Sequence, residues 1–231
     1  MNIIVNGGSK GIGKEIALFL AKDADNKIII TGRNSTSLEK VAAKCKHGNI
    51  SFITLDLSTL GEEIDNIKHQ VLSLFEKIDV LINNAGFLVV EEFMKISAKN
   101  ARLVMETNFF GPATLIRMLV PLMKEGSHIV NISSMGGFQG SVKYKGLAYY
   151  SSSKAALATL TECLAVELTD RGISANCLAL GSVQTEMFET AFKGLRAPVE
   201  PESMSEFISW FALNGHKFFN GKILPVALGN P

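Results

Sequence analysis

Tyr150 and Lys154 stand four residues apart in the stretch "YYSSSKAALATL". On a helix this spacing places two side chains on one face, one turn apart. A free tyrosine keeps its proton to about pH 10, and an ammonium beside it favours the phenolate. The sequence therefore predicts a phenol whose pKa is lowered by Lys154, able to give or take a proton near neutrality. Tyr149 points about 100° around the helix, to pack or to line a pocket wall. Chance pairs of this kind are frequent on helices, so proton chemistry needs further partners. Upstream, "NISSMGG" offers Ser133 or Ser134. Either could hydrogen-bond a substrate oxygen as charge develops on it. The rival reading is two turn serines bonded to local backbone.

A second group of residues points to a dinucleotide. "NGGSKGIG", Asn6 to Gly13, follows a strand-like run and opens a helical one. Gly7 suits a sharp turn, Gly11 a close backbone approach to a pyrophosphate, and Gly13 close helix–sheet packing. The helix start supplies unpaired N–H groups for phosphates. No Gly-Lys-Ser or Gly-Lys-Thr follows, which excludes a P-loop. A free ribose 2′-OH calls for an acid near the end of the second strand. That stretch is "ITGRN", with Arg33 and no acid, and Lys10 lies in the first loop. Two cations suit a 2′-phosphate and predict NADP(H) over NAD(H). Asp56, ending the third strand, could accept from the adenine amine or cap the next helix.

These residues need a scaffold, and the pattern predicts one. Strands are expected over Asn2–Asn6, Lys27–Gly32, Ile50–Asp56, from Ile78, Ser127–Ser134, Gly172–Leu180 and Gly221–Leu228. Helical patterns fall between them: after the glycine turn, then a helix capped by Ser35 or Ser37, then Glu62–Phe75 with Ile64, Ile67, Val71 and Leu72 at 3.6-residue spacing. A long helical region with a bend or a break near Pro112 is expected from about Ser97 to Met123, followed by helices over Leu147–Leu168 and Glu202–Leu213. Residues 181–201 read as irregular. The strands are apolar on both sides, as a sheet buried on both faces requires. The expectation is one α/β domain over 1–231: a doubly wound, Rossmann-like parallel sheet with helices on both faces.

Composition narrows the function classes. Of the 231 residues, 47% are hydrophobic and 19% charged, enough for a sizeable core, and the formal net charge is +1. No basic surface for nucleic acid or membrane is expected, and no apolar run approaches the roughly 18 residues of a membrane span. No leader pattern precedes the first strand. Cys45, Cys163 and Cys177 form no motif, and their odd number fits core thiols in a reducing cytoplasm. His47, His69, His128 and His216 are scattered, so no metal is expected. Met187, Phe188 and Phe192 could line an apolar pocket or close the core, Phe138 and Tyr144 could approach it, and Trp210 with Phe211 is expected to pack the last helix on the sheet.

In this order the motifs resemble those of the short-chain dehydrogenases/reductases, over almost the whole chain. Asn6 to Gly13 resembles the family's Thr-Gly-x-x-x-Gly-x-Gly, with Asn6 in the threonine place. "NNAG", Asn83 to Gly86, resembles the loop after the fourth strand. The resemblance implies that Asn108 in "METNFFG" holds a relay water through its backbone. It makes Ser134 the catalytic serine, Tyr150 and Lys154 the acid/base pair, and Thr185 in "GSVQTEM" the contact to the nicotinamide amide. It adds Ser9, Ile12, Leu57 and Ala85 to the cofactor contacts, with Gly181 and Val183 after the sixth strand. The implied reaction is hydride transfer to a carbonyl held between Ser134 and Tyr150, with Tyr150 as proton donor. Lys154 and the water at Asn108 resupply that proton, and Lys154 also holds the ribose hydroxyls.

The chain also differs from the family pattern. Leu180 replaces the usual proline before Gly181, and sixteen residues separate Ser134 from Tyr150, about three more than in many members. A short substrate loop is expected near 186–202, and the ending "PVALGNP" lacks a common Asp-Gly-Gly. The family's dimer surfaces, about Ser97–Leu122 and Leu147–Leu168, imply a homodimer or homotetramer. The leading reading is an NADP(H)-dependent reductase of a ketone or 3-oxoacyl compound. An NAD(H)-dependent alcohol dehydrogenase and a non-catalytic dinucleotide sensor or scaffold are the alternatives, and the second would predict a missing tyrosine or lysine.

Overall fold

The alternation of apolar runs and amphipathic stretches resolves into a seven-stranded sheet flanked by helices in a computed structural model that describes residues 1–228. The strands are β1 (Asn2–Asn6), β2 (Lys27–Gly32), β3 (Ile50–Thr54), β4 (Ile78–Asn83), β5 (Met123–Ser134), β6 (Ser174–Leu180) and β7 (Ile223–Val226). The α-helices are α1 (Gly11–Leu20), α2 (Ser35–Ala42), α3 (Leu60–Leu74), α4 (Ala98–Met105), α5 (Gly111–Leu119), α6 (Ala148–Glu167), α7 (Glu186–Ala191) and α8 (Pro201–Asn214). The sheet order is β3-β2-β1-β4-β5-β6-β7, and every neighbouring pair is parallel. Of the ending "PVALGNP", residues 229–231 lie outside the described residues.

Alternate strand residues serve two cores, as a period of two dictates. Ile3, Val5, Ile28, Ile30, Val130 and Leu178 pack against α1, α2 and α8 through Ile16, Leu38 and Phe211. Ile4, Ile29, Leu81 and Ile129 pack on the other side against α3, α5 and α6 through Ile67, Leu115 and Ala165. The order reverses between β1 and β4, and the loops leaving their carboxyl ends part to open a crevice.

One row of that second face is polar. Thr31, Asn6, Asn83 and Asn131 sit in register on β2, β1, β4 and β5. Thr31 Oγ1 donates to Asn6 Oδ1 at 2.9 Å, Asn6 Nδ2 to Asn83 Oδ1 at 3.4 Å, and Asn83 Nδ2 to Asn131 Oδ1 at 2.9 Å. Asn131 Nδ2 donates on to Thr161 Oγ1 of α6 at 2.9 Å, so each buried amide finds its partner sideways.

Several elements depart from the sequence expectation. The long helix over 97–123 is two helices joined by a π-turn at Glu106–Phe110, where the Gly111 N–H reaches the Glu106 carbonyl. Pro112 sits in the first turn of α5, directly after that interruption, so the break expected near it is present. β3 stops at Thr54, short of Asp56, and β5 begins early at Met123, which pairs with Ile78 across an irregularity in register. Asn34, not Ser35 or Ser37, caps α2 by accepting the Ser37 N–H at 2.8 Å. α7 is helical within the segment read as irregular. Phe211 is buried as expected, but Trp210 is 52% exposed on the outer side of α8. Of the thiols only Cys177 is buried, and Cys163 is exposed.

His128 is a fully buried side chain at the start of the packed part of β5. Its Nδ1 donates to the Ala212 carbonyl at 3.0 Å and its Nε2 accepts from Asn176 Nδ2 at 3.0 Å, in the tautomer that satisfies both partners. Burial, with His216 nearby, lowers its pKa from 6.5 to about 4, against a smaller raising effect of the Ala212 carbonyl. The folded state therefore holds this imidazole neutral where the unfolded chain binds a proton. Stability from this group is complete above pH 6.5 and is lost as pH falls toward 4, by about 3 kcal/mol in all. Urea unfolding at several pH values is expected to show that slope, flattened in His128→Gln.

Candidate active site

A cleft of about 310 Å³ opens beyond the carboxyl ends of β1, β4, β5 and β6 and runs from the glycine turn to α7. At one end, Gly7 has φ +84°, and a Cβ there would lie 2.6 Å from the Ala85 Cα. A Cβ on Gly13 would lie 2.1 Å from the Gly7 carbonyl oxygen and 2.4 Å from Asn84 Nδ2. Gly13 is thus needed for packing and sits behind the cleft wall, not on it. Gly11 has φ +53°, and a Cβ there would meet only the Thr185 side chain, no nearer than 3.5 Å. The first turn of α1 holds no acid, and Lys10 at its N-cap makes no side-chain cap bond. Open space over a glycine backbone at an uncapped, acid-free helix start fits the pyrophosphate of a dinucleotide.

Asn6, Ser9, Lys10, Ile12 and Arg33 line this end, with Asp56 and Leu57 opposite. Arg33 is exposed and makes no ion pair among the described residues, whereas Lys10 Nζ is 2.8 Å from Glu186 of α7. Asp56 Oδ1 accepts from the Ser58 N–H at 2.9 Å and from Ser58 Oγ at 2.8 Å, so it orders its own turn and does not cap α3. Asn83 belongs to the buried polar row and does not reach the cleft; its neighbour Asn84 does, and donates to the Gly7 carbonyl at 3.0 Å. Alternation at a strand end lets only one of two adjacent asparagines face the sheet, and the sequence alone did not say which.

The catalytic candidates meet in the middle. Ser133 is buried and donates to the Lys154 carbonyl at 2.8 Å, which ties β5 to α6. Ser134 accepts the Gly136 N–H at 3.1 Å and faces Tyr150. Both serines line the cleft, and Ser134 makes the local turn bond of the rival reading. Gly137 lets α6 come close, since a Cβ there would be 2.6 Å from the Ala155 nitrogen. Lys154 is 3% exposed and its Nζ donates to the Ile132 carbonyl at 2.8 Å. Gly86 lies over it: a Cβ there would be 3.5 Å from Lys154 Nζ.

Electrostatics correct one expectation. Burial raises the Tyr150 pKa, with the Ser134 hydroxyl acting weakly in the opposite sense. Burial lowers Lys154 from 10.5 to about 8, and the Cys177 thiol beside it raises it slightly. The buried lysine aims its ammonium at a backbone carbonyl, so desolvation, not Lys154, sets the phenol. The Tyr150 phenol accordingly stays protonated at neutral pH.

Asn108 is buried in the π-turn outside the cleft lining. Its Oδ1 accepts the Phe87 N–H at 2.7 Å and its Nδ2 donates to the Phe87 carbonyl at 2.8 Å and to Ser153 Oγ at 3.0 Å. The side chain therefore clamps the loop after β4 onto α6. Pro112, four residues on, has no N–H, so the α-type partner of the Asn108 carbonyl is missing by covalent structure.

Gly181, Val183 and Thr185 line the far wall, and Thr185 caps α7 by accepting the Phe188 N–H at 3.2 Å. Met187, Phe188, Phe192 and Tyr144 all face the cleft, while Phe138 lines a neighbouring cavity with Phe93 and Met94. Tyr149 stacks on Phe93 with ring centroids 5.9 Å apart and so packs outside the cleft. Thr107, Leu88 and Ser182 line the cleft without any signal in the local sequence pattern. Among the described residues no cluster of three metal-ligating side chains occurs, and no helix is long and apolar enough to cross a membrane.

Known proteins resemble this chain in sequence and fold. The 3-oxoacyl-[acyl-carrier-protein] reductase of Synechocystis sp. is 30% identical over 189 residues, 80% of this chain and 75% of that protein. A dehydrogenase/reductase structure from Sinorhizobium meliloti 1021 is 28% identical with a TM-score of 0.88, covering 99% of this chain and 94% of that one. A structure from Escherichia coli CFT073, complexed with NADPH, is 25% identical with a TM-score of 0.88, covering 97% and 95%. The short chain dehydrogenase family profile matches residues 1–196, and with fold, cleft and profile in agreement, the chain belongs to the short-chain dehydrogenase family of oxidoreductases.

Proposed function

We propose that the protein is an NADP(H)-dependent reductase of a ketone or 3-oxoacyl carbonyl, with Tyr150 as proton donor. The observation that carries this is the shared cleft: Ser134, Tyr150 and Lys154 lie along the same opening as the glycine turn and Arg33. When bound, the cofactor supplies the hydride. The chain's own residues do the rest. The loop at Gly7 and Gly11 and the start of α1 hold the phosphates, and Thr185 with Val183 orients the far end. Ser134 donates to the carbonyl oxygen and polarises it. Tyr150 delivers its proton to that oxygen as charge grows there. Lys154 holds a positive charge below the phenol and steadies the ribose side of the site.

Support for NADP(H) is Arg33, exposed on the cleft and unpaired among the described residues, with the NADPH-bound relative from Escherichia coli as an analogy. The Asn108 carbonyl, which has no α-type partner at Pro112, suits a relay water. A cytoplasmic, self-associated form belongs to the same reading: three free cysteines fit a reducing compartment, and exposed Phe110 and Val166 beside α5 and on α6 are apolar groups that a second copy would cover. The test is a panel of carbonyl compounds followed by NADPH consumption, with NADPH and NADH titrated by fluorescence. Arg33→Ala is expected to weaken NADPH about tenfold or more while NADH changes little, since a charge-assisted bond to phosphate is worth about 1.5–3 kcal/mol. Equal affinity for the two cofactors in the parent would overturn the NADP(H) assignment.

A further inference from the structure

The long loop between β5 and α6 carries Tyr144 over the cleft, where it meets the lid helix α7. Tyr144 and Phe192 stand edge to face with centroids 6.5 Å apart, and Phe188 and Phe192 are tilted against each other at 5.1 Å. All three line the outer part of the cleft, joined by Met187 and Ala191 of the same helix. The cations on the lining are Lys10, Arg33 and Lys154. Arg33 belongs to the glycine-turn end, Lys10 is neutralised by Glu186 at the start of α7, and Lys154 is buried against the Ile132 carbonyl. The outer chamber therefore offers three rings, two aliphatic groups and no unpaired positive charge.

Building on the reductase reading, we propose that the substrate is an uncharged ketone or aldehyde bearing an aryl ring, gripped by Tyr144, Phe188 and Phe192 as its specificity determinants. An anion entering this chamber loses its water without gaining a partner. A polyol leaves hydroxyls unpaired among ring faces. A flat ring gains edge and face contacts with three aromatic neighbours. The reaction balances as a two-electron reduction. A hydride from the reduced dinucleotide forms a C–H bond at the carbonyl carbon, and the C=O π pair moves to oxygen. That oxygen takes the Tyr150 proton to give the alcohol, and the oxidised dinucleotide leaves.

The test compares propiophenone, cyclohexyl ethyl ketone and 4-propanoylbenzoate, with an acetoacetyl thioester and a small ketose as outgroups, all with NADPH and the full chain. Propiophenone is expected to exceed its cyclohexyl analogue by about tenfold in kcat/KM, from one or two ring pairs, and the carboxylate by more. Phe192→Leu and Tyr144→Leu, which keep bulk and lose the ring, are expected to shrink that preference through KM, and Phe192→Tyr to restore it. Equal kcat/KM for the aryl and cyclohexyl ketones, a preference for the carboxylate, or a preference untouched in the Phe192→Leu/Tyr144→Leu double variant would overturn the proposal. Turnover of the thioester or the ketose alone, abolished by Tyr150→Phe, would sink this inference and leave the reductase reading standing. Turnover of no compound in a Tyr150-dependent way would sink both.

Discussion

Tyr150→Phe is expected to lower kcat for carbonyl reduction by about 10²–10⁴, the usual range for one positioned proton donor. The change removes one hydroxyl and keeps the ring, so the melting temperature is expected to move little and the loss to fall on turnover. Burial holds the phenol proton well past neutrality, so the reduction does not lose its acid on the alkaline side through Tyr150 itself. An alkaline limb of the pH profile is expected instead from Lys154, whose pKa burial lowers to about 8. Unchanged kcat in Tyr150→Phe, measured under saturating NADPH, would place the proton donor elsewhere.

Lys154→Met is expected to abolish activity and to make the protein more stable. The buried ammonium has its pKa lowered from 10.5 to about 8, so the folded state disfavours the charge that the unfolded chain carries freely. Below pH 8 the full penalty applies; as pH rises from 8 to 10.5 the folded lysine is neutral while the unfolded one still binds its proton, and stability recovers. A shift of that size corresponds to about 3 kcal/mol. Methionine fills the space without a charge, but the Ile132 carbonyl loses its donor, which costs about 1 kcal/mol. A net gain of about 2 kcal/mol at pH 7 is expected by urea unfolding, narrowing toward pH 10. A less stable Lys154→Met would show that the ammonium is not held against its solvation. Stability surrendered for function is a common feature of active sites.

The two strands nearest the cofactor end were legible to the residue. Asn2–Asn6 and Lys27–Gly32 are short β-branched runs bounded by glycine or asparagine, and local pattern suffices for them. The parallel, doubly wound arrangement followed from strands apolar on both sides. What escaped depended on distant contacts. Glu106–Phe110 is too short a π-turn to alter the helical pattern and so read as more helix, and within it Asn108 binds Phe87 across the fold. Trp210 and Phe211 are adjacent, and only the packing of α8 decides which turns inward. The site residues were named from type and spacing and from the family resemblance, yet Asn83 and Gly13 fell behind the cleft because side-chain direction at a strand end and helix depth at a turn are set by neighbours. The Tyr150–Lys154 spacing was right and the inferred electrostatics was not: sequence shows that two groups are close, while solvent exclusion depends on everything around them.

The buried chain from Thr31 through Asn6, Asn83 and Asn131 to Thr161 has a consequence for how this sequence can drift. Each amide gives to one neighbour and takes from the other, so the members form a directional relay with a fixed sense across four strands and one helix. Changing any one of the three asparagines to an apolar residue strands a donor on one side and an acceptor on the other. Single exchanges are thereby penalised twice, while a concerted exchange of neighbours is not. The row works as a key that admits only one alignment between the nucleotide half of the molecule and the half bearing the phenol.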